Sequence, residues 1–426
     1  MNAGDTAWML ASSALVLLMT PGLAFFYGGM VRAKSVLNMM MMSFISLAIV
    51  PVIWFAYGYS MTFGDDRAHG LIGGFGELGL HGITQNSLTG SVPTYVFVVF
   101  QLLFGIVTVA LISGAVADRV KFTAWAVFVP VWMTLVYFPV AHWVFAFDSD
   151  TVKGGWIANH LRALDLAGGT AVEINAGAAA LALALIVGRR VGWRREPMRP
   201  HNLPSVLLGA GLLWFGWYGF NAGSALGANS LAGLALINTT GAGAAAMLGW
   251  LAVEVLRDKK GTSFGAASGA IAGLVAITPS CGSVSPMGSI VIGLVAGSVC
   301  AYAIGLKYKL GFDDSLDVVG VHLVGGLVGT LLIGLLATRT NVAHLGFGSS
   351  GLFYGGGLTQ LGRQAVAAAA VLAYSFTVTY GIGTVIDKLI GFRLSEEDEV
   401  TGIDQVEHLE TAYDHAGSST GGPHLG

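Results

Sequence analysis

The segment LAGGTAVEINAGAAALALALIVG, residues 166–188, is long and apolar enough to cross a bilayer, yet it carries the carboxylate of Glu173. A second apolar segment, LDVVGVHLVGGLVGTLLIGLLA at 316–337, contains His322 and has no charge except Asp317 near its start. An ionisable side chain inside a membrane is costly, and such groups usually line a transport pathway or a bundle interior. We therefore interpret Glu173 and His322 as pathway residues. A buried structural pair that ties two helices together is the alternative.

The composition is that of a membrane protein. Hydrophobic residues make up 54% of the 426 residues and charged residues only 11%, whereas a soluble domain carries about 25% charged residues. The net charge of −3, without a basic patch, predicts no nucleic-acid partner. The two cysteines, Cys281 and Cys300, are too few for a metal framework. Neither a metal nor a cofactor is expected, and no familiar catalytic motif predicts an enzyme.

The predicted fold class is an all-α polytopic membrane protein, with a membrane domain at 1–391 and an acidic cytoplasmic tail at 392–426. Eleven segments are apolar enough to span the roughly 30 Å hydrocarbon core. They lie near 6–31, 36–63, 93–117, 122–147, 167–188, 203–224, 229–256, 263–280, 287–308, 316–338 and 363–391.

The distribution of Lys and Arg predicts the orientation. Sixteen of the 21 bases follow or close the odd-numbered spans, and only five lie on the other side. Because cytoplasmic loops carry an excess of Lys and Arg, this split places the N-terminus outside and the C-terminus in the cytoplasm.

An inverted repeat of five plus five spans is also predicted, because spans one to five and six to ten have opposite orientations. Asp165 precedes Glu173 at the start of span five, and Asp317 precedes His322 at the start of span ten. We expect Asp165 to cap its helix and Asp317 to play the equivalent part in the other half.

The tail has a different character from the rest of the chain. It holds eight acidic residues, and its last ten residues have a composition typical of disorder. The middle part, GIDQVEHLETAYD at 402–414, is expected to order against the cytoplasmic face. We also expect the acidic tail to meet a basic surface formed by Arg189, Arg190, Arg194 and Arg195.

Eight motifs along the chain together identify a family resemblance. The motifs are FYGGMVR (26–32), FQLLF (100–104), GAVADR (114–119), DLAGGTAVEINAG (165–177), PHNLP (200–204), WFGWYGFNAGSA (214–225), AIAGLVAITPSCG (270–282) and DVVGVHLVGG (317–326). In this order they resemble the ammonium transporter family, the Amt/Mep branch of the Amt/Mep/Rh superfamily, from about residue 6 to 391. The resemblance implies an ammonium transporter of the plasma membrane, a homotrimer with a pore in each subunit, and methylammonium as a second candidate substrate.

The resemblance also implies roles for aromatic residues. Phe104, Phe145 and Ser224 match an outer vestibule that binds the ammonium cation between rings and a hydroxyl. Phe104 and Phe220 match two stacked rings that close the pore, and Trp217 lies one helical turn from Phe220. The sequence departs from the usual family pattern because Phe145 stands where most members have Trp. Ordinary packing is the alternative for any one of these rings.

At the pore centre most of the family has two hydrogen-bonded histidines. His322 matches the second of them, and Glu173 stands where the first would be, as in a subset of fungal members. A Glu–His pair can hold a net proton, so it is expected to relay protons as a unit. The family places Asp165 near the vestibule in a structural role, and Thr278 ends a helix near the pore.

Two other functions stay open at this stage. One is an ammonium sensor, against which the short tail of about 35 residues argues. The other is a passive gas channel of the Rh type, against which the aromatic vestibule argues. The family further implies that the cytoplasmic tail couples the three subunits and that a PII signal protein can dock on the cytoplasmic face.

Overall fold

The computed structural model describes residues 1–150 and 152–413, and within them ten helices are long and apolar enough to cross a membrane. An eleventh, shorter apolar helix, Ser263–Ile277, corresponds to the span predicted near 263–280. With 15 residues it falls short of the roughly 20 that a full crossing needs. The helices are α1 (Ala3–Met30), α2 (Val36–Phe63), α3 (Thr94–Val116), α4 (Phe122–Phe145), α5 (Gly169–Val187), α6 (Leu203–Gly223), α7 (Ser230–Asp258), α8 (Ser263–Ile277), α9 (Pro286–Leu310), α10 (Val319–Leu336) and α11 (Thr359–Ile390).

Side-chain caps fix where several helices begin. Four side chains that precede a helix each accept a hydrogen bond from the backbone N–H three residues later. They are Asn202 before α6, Asn229 before α7, Thr262 before α8 and Ser285 before α9. Such caps satisfy donors that the first helical turn leaves free. The sequence therefore sets these four boundaries locally.

Small residues allow the helices to approach closely. A Cβ added at Gly209 of α6 would lie 2.3 Å from the backbone nitrogen of Phe26 in α1. A Cβ at Gly297 of α9 would meet the carbonyl oxygen of Ala246 in α7. Close backbone packing of this kind replaces the hydrophobic driving force that lipid does not provide. This accounts for the glycines at the helix contacts, such as Gly209 and Gly297.

The helices α5 and α10 cross at the centre of the bundle and have matching features. Each opens with a π-helical stretch, Gly169–Ile174 in α5 and Val319–Leu323 in α10. Gly177 lies so close to Leu323 that an added Cβ would be 2.5 Å from its backbone nitrogen. In the reverse direction, an added Cβ at Gly326 would lie 2.9 Å from the Cβ of Glu173. The two glycines bring Glu173 and His322 face to face.

The prediction that Asp317 mirrors Asp165 is wrong. Asp165 accepts backbone N–H bonds from residues 168–170, and it is Asp314 that accepts those of Val318 and Val319. Asp165 precedes Glu173 by eight residues, and Asp314 precedes His322 by the same number. Asp317 cannot cap the helix because its backbone is left-handed, with φ of 64°, and its carboxylate binds Lys307 Nζ at 2.6 Å.

The tail folds back onto the bundle through two short helices, α12 (Glu396–Thr401) and α13 (Ile403–His408). The carboxylate of Asp404 accepts the N–H groups of Leu37 and Asn38 at the start of α2. Ordering of the middle of the tail is thus confirmed as far as Tyr413. The disorder predicted for the last ten residues lies outside the described residues.

The ion pairs of Glu399 correct the prediction that the acidic tail meets the basic loop after α5. That loop contains Arg189, Arg190, Arg194 and Arg195. The buried carboxylate of Glu399 binds Arg32 and Arg393, and from the predicted basic loop it takes only the N–H of Val191. Arg190 is already occupied by Asp118 and Asp313. The positive partner of the tail is therefore the pair Arg32 and Arg393.

Candidate functional site

A cavity of about 850 Å³, named here the wide cavity, brings together the three residues predicted to bind a cation: Phe104, Phe145 and Ser224. Aromatic rings form much of its wall, including Phe63, Phe97, Phe147 and Phe347. Asp165, at the entry to α5, also lines it.

Ser224 presents acceptor lone pairs to this cavity. Its hydroxyl donates to the carbonyl oxygen of Phe220 at 2.8 Å, so its proton is already used. A serine oxygen keeps two lone pairs when it donates, and these suit an incoming N–H donor.

Two rings close the path beside Ser224. Phe104 and Phe220 stack with centroids 3.9 Å apart and planes 13° from parallel. Phe145 meets Phe104 edge-on at 6.1 Å, and Trp217 lies 5.9 Å from Phe220. Rings in direct contact leave no opening between them, so any passage at this point requires a side chain to turn.

Trp217 is held in place by Thr278. The indole Nε1 donates to Thr278 Oγ1 at 2.9 Å, and the same hydroxyl donates to the carbonyl oxygen of Leu274. Both side chains are buried. Thr278, at the end of α8, therefore fixes the orientation of Trp217 beside the stacked rings.

Glu173 and His322 form a direct pair. Glu173 Oε2 lies 2.7 Å from His322 Nδ1, and the two side chains are 1% and 5% exposed. The bond joins α5 to α10 at their crossing. One proton between the two atoms can reside on either, as a neutral acid with imidazole or as a carboxylate with imidazolium.

A second, narrow cavity of about 10 Å³ touches His322, and it is lined by Tyr27, Ser268 and Asp317 among others. A space of that size admits about one water molecule. Asp317 also lines a third cavity of about 320 Å³, named here the basic cavity, with Arg190, Arg257 and Lys307. His322 is thus connected to the basic cavity through Asp317, whereas Asp165, eight residues before Glu173, lines the wide cavity.

The sequence model described as the Ammonium Transporter Family matches residues 7–413. This chain belongs to that family. Like the family, it is a multi-pass membrane transporter and not an enzyme.

Relatives and solved structures agree with this assignment. The chain is 60% identical to the ammonium transporter of Mycobacterium tuberculosis, covering 98% of this chain and 92% of the relative. It is 43% identical to the ammonium transporter Amt1 of Archaeoglobus fulgidus, covering 97% and 100%.

Among solved structures, Saccharomyces cerevisiae Mep2 is similar with a TM-score of 0.85 at 34% identity, covering 93% of this chain and 88% of that one. A protein described as a sensor Amt protein is similar with a TM-score of 0.86 at 28% identity, covering 95% and 98%.

Two residues close to this site are not identified by the sequence prediction. The prediction selects Asp317 and not Asp314, although Asp314 precedes His322 by eight residues, just as Asp165 precedes Glu173. Lys307 is one of the sixteen bases predicted on the cytoplasmic side, and it is only 7% exposed and pairs with Asp317. The matching spacing could have revealed Asp314. No local signal in the sequence predicts the Lys307–Asp317 pair.

The two capping carboxylates have raised pKa values. Burial raises the pKa of Asp165, and the hydroxyl and N–H groups it accepts oppose that rise. Burial also raises the pKa of Asp314 to about 6, with the charge of Lys307 acting against it. Each carboxylate is nevertheless satisfied by the N-terminal donors of its own helix.

Proposed function

We propose that this chain moves ammonium across the plasma membrane by recruiting the cation in the wide cavity, removing a proton near the stacked rings, and passing ammonia and the proton past the Glu173–His322 pair. The observation that carries the proposal is that buried pair. It joins α5, whose preceding Asp165 lines the wide cavity, to α10, whose His322 is connected to the basic cavity through Asp317.

Recruitment rests on the rings and hydroxyl that meet in the wide cavity. A cation over an aromatic face gains about 0.5–2 kcal/mol per contact. Among the described residues that line this cavity there is no Lys or Arg to repel a cation. Ser224 accepts a hydrogen bond from ammonium but cannot accept one from potassium, which has no proton to give.

Passage through the rings favours the neutral molecule. The rings of Phe104 and Phe220 cannot form hydrogen bonds with a permanently charged ion at the constriction. The cost of desolvating the cation is therefore uncompensated there. Ammonia has no such cost and is small enough to pass when a ring turns. Potassium cannot become neutral, so the same barrier excludes it.

The Glu173–His322 pair then supplies a proton relay. Because Nδ1 of His322 is bound to the carboxylate, Nε2 is the ring nitrogen left to face the narrow cavity. A proton that arrives on His322 makes the carboxylate–imidazole pair neutral overall, and its departure from Glu173 returns the pair to one negative charge, so the pair alternates between two states that differ by one proton.

The membrane topology is part of the proposal. Counting α8 as a crossing gives eleven spans, with the N-terminus outside and the C-terminus in the cytoplasm. The shared eight-residue spacing of Asp165 to Glu173 and of Asp314 to His322 supports a five-plus-five inverted repeat. The bases around the basic cavity support its cytoplasmic location.

The assembly proposed is a homotrimer with one pore in each subunit, with the docked tail coupling the subunits and a PII signal protein as a candidate cytoplasmic partner. The family resemblance carries these features. The tail contacts of Glu399 and Asp404 support the coupling role, because they join the tail to α2 and to the loop after α5.

The test is the electrical response of purified protein on a solid-supported membrane to ammonium pulses. We expect Glu173→Gln to reduce the current strongly, because an amide cannot take up or release a proton. Glu173→His restores the usual family pair and should keep transport with a changed pH profile. A wild-type current and pH profile in Glu173→Gln would return this residue to a structural role.

An ammonium sensor is the second candidate function, because the solved structure of a sensor Amt protein is similar to most of this chain, with a TM-score of 0.86. Binding of ammonium to the wild type, measured calorimetrically, without any current or uptake would favour it over a transporter.

A further inference from the structure

Glu77 occupies a fixed position on the wall of the wide cavity, away from the residues assigned so far. Its backbone N–H donates to Ser60 Oγ at 2.9 Å, and that hydroxyl donates to the carbonyl oxygen of Gly74. Ser60 is fully buried at the end of α2. The loop that follows α2 is therefore tied to the bundle at the residue that carries the carboxylate.

The carboxylate of Glu77 lacks a partner from the chain. Its oxygen Oε2 is buried and has no hydrogen-bond partner within residues 1–150 and 152–413. Carboxylates in partly buried positions are normally hydrogen-bonded or paired with a cation, because desolvating a charge without compensation is costly. Because Oε2 is covered, a cation in the wide cavity would provide that compensation through space and not by contact with this oxygen.

The other carboxylate of the cavity cannot serve in this way. Both oxygens of Asp165 are occupied by three backbone N–H groups and the hydroxyl of Thr170. Since no Lys or Arg is among the described residues that line the cavity, Glu77 supplies a negative charge that the wall does not neutralise.

Three rings of the neighbouring helices line the same cavity as Glu77. Tyr59 and Phe63 of α2 and Phe97 of α3 line the same cavity, with Phe63 and Phe97 edge-on at 4.9 Å. A low-dielectric aromatic wall with one fixed anion concentrates cations in front of it. Ring faces add attraction for an ion with a weakly held hydration shell.

We propose that Glu77, with the rings of Tyr59, Phe63 and Phe97, forms a second cation subsite in the wide cavity, separate from Phe104, Phe145 and Ser224. It takes small monovalent cations, ammonium and methylammonium among them, and supplies them to the constriction. The subsite rests on the proposed function but concerns capture only. It acts before any proton is removed.

This subsite discriminates poorly between cations of similar size, because a carboxylate attracts potassium as well as ammonium. Its effect is therefore on the ammonium concentration that half-saturates transport, and it weakens when other cations compete or screen the charge. The maximal current, which the later steps set, should not depend on it.

The test compares Glu77→Gln with wild type and with Asp150→Asn in ammonium-pulse currents. Asp150→Asn removes one charge from an exposed position in the loop between α4 and α5 that does not line the cavity. At low ionic strength we expect Glu77→Gln to raise the half-saturating ammonium concentration about three- to tenfold with an unchanged maximal current, and Asp150→Asn to change neither. At high potassium chloride the difference between Glu77→Gln and wild type should disappear.

External pH gives an independent reading. Partial burial raises the pKa of Glu77, so its charge is lost earlier than usual as the pH falls. The half-saturating concentration of wild type should then rise on acidification, whereas that of Glu77→Gln should change less. Tyr59, His81 and Asp165 also face this cavity, and both proteins keep them.

Equal half-saturation in Glu77→Gln and wild type at low ionic strength would overturn the subsite. Glu77→Asp keeps the charge, so its half-saturating ammonium concentration should stay within about threefold of wild type. If that concentration rose as much in Glu77→Asp as in Glu77→Gln, Glu77 would be assigned to the structure of the loop instead. Loss of current in wild type itself would overturn the proposed transport and not this subsite.

Discussion

At the residue scale, the most instructive departure from the family pattern in the wide cavity is Phe145. The ring lies edge-on to Phe104 and beside Gly168, where a methyl group would already be 3.2 Å from Phe145 Cζ. A phenyl group is a weaker cation–π partner than an indole. Phe145 is therefore a position where a stronger cation–π ring should increase the affinity for ammonium.

Phe145→Trp is expected to lower the half-saturating ammonium concentration about two- to fivefold, since the stronger ring face is worth ~0.5–1 kcal/mol. Ammonium-pulse currents over a concentration series give this value directly. Phe147→Trp is the matched control, because it adds the same indole to a ring of the wide cavity that pairs with Phe347 and not with Phe104. Tighter binding in the control but not in Phe145→Trp would place recruitment elsewhere in the cavity.

The contact between Glu173 and His322 could be predicted from the sequence, because each is an ionisable group alone in an apolar segment. Asp317 could not be placed correctly in the same way. Several acids precede α10, at 313, 314 and 317, and the choice among them depends on a left-handed backbone at Asp317 that the residue type does not reveal. The acid equivalent to Asp165 is the one placed to cap the first turn of α10, and not the one nearest to His322 in the sequence.

At the scale of single elements, apolar length predicts the spans well because lipid imposes it. Helix α8 is the informative exception. It is shorter than a full crossing, and from Ala267 to Ile277 every residue is buried. Such a helix lies inside the bundle, where its length is set by packing and by the turn that follows. The π-helical openings of α5 and α10 have no counterpart in the sequence prediction, because helical propensity does not distinguish a π-helical turn from an α-helical one.

Gly177→Ala tests that crossing. The added methyl would meet the backbone nitrogen, Cα and Cβ of Leu323 at 2.5–2.6 Å, so α5 and α10 must move apart. We expect a loss of about 1–3 kcal/mol in stability, seen as a lower melting temperature in detergent, together with reduced ammonium current. The pair Glu173–His322 would be stretched by the same movement.

Gly381→Ala is the control for helix propensity, because an added Cβ at this position in α11 has nothing within 4 Å. It should leave the current unchanged and keep or slightly raise the melting temperature. If Gly177→Ala matched it in both measurements, close approach of α5 and α10 would not be a requirement of the fold.

At the scale of the whole molecule, the charges around the tail form one connected set. Asp118 binds Arg32 and Arg190, Arg190 binds Asp313, and Arg32 also binds Glu399 of the tail. Asp313 adjoins Asp314, the cap of the helix that carries His322. Burial opposes the ionisation of Asp313, but the guanidinium of Arg190 lowers its pKa below the usual value, so Asp313 stays charged well below neutral pH.

The acidic composition of the tail could be recognised from the sequence, but its partner could not. The positive-inside pattern makes every cytoplasmic loop basic, so the number of arginines near position 190 was a poor guide. What decides the contact is which cations the fold places within reach of Glu399. Arg32, which also binds Asp118, and Arg393 reach it, whereas Arg190 is held by Asp118 and Asp313.

Deletion of residues 395–426 is expected to lower the ammonium current without lowering the amount of protein in the membrane. The deletion removes Glu399 and Asp404, and with them the cap at the start of α2 and the carboxylate shared by Arg32 and Arg393. It leaves Leu394, whose N–H binds the carbonyl oxygen of Arg119, so the end of the membrane domain stays anchored. Deletion of 414–426 alone keeps all these contacts and should change the current little. Glu399→Gln separates the charge from the rest of the tail, because it preserves the shape of α12 and weakens the bonds of this side chain to the two arginines and to the N–H of Val191. Full current after the longer deletion, at equal protein in the membrane, would mean that the docked tail does not influence transport.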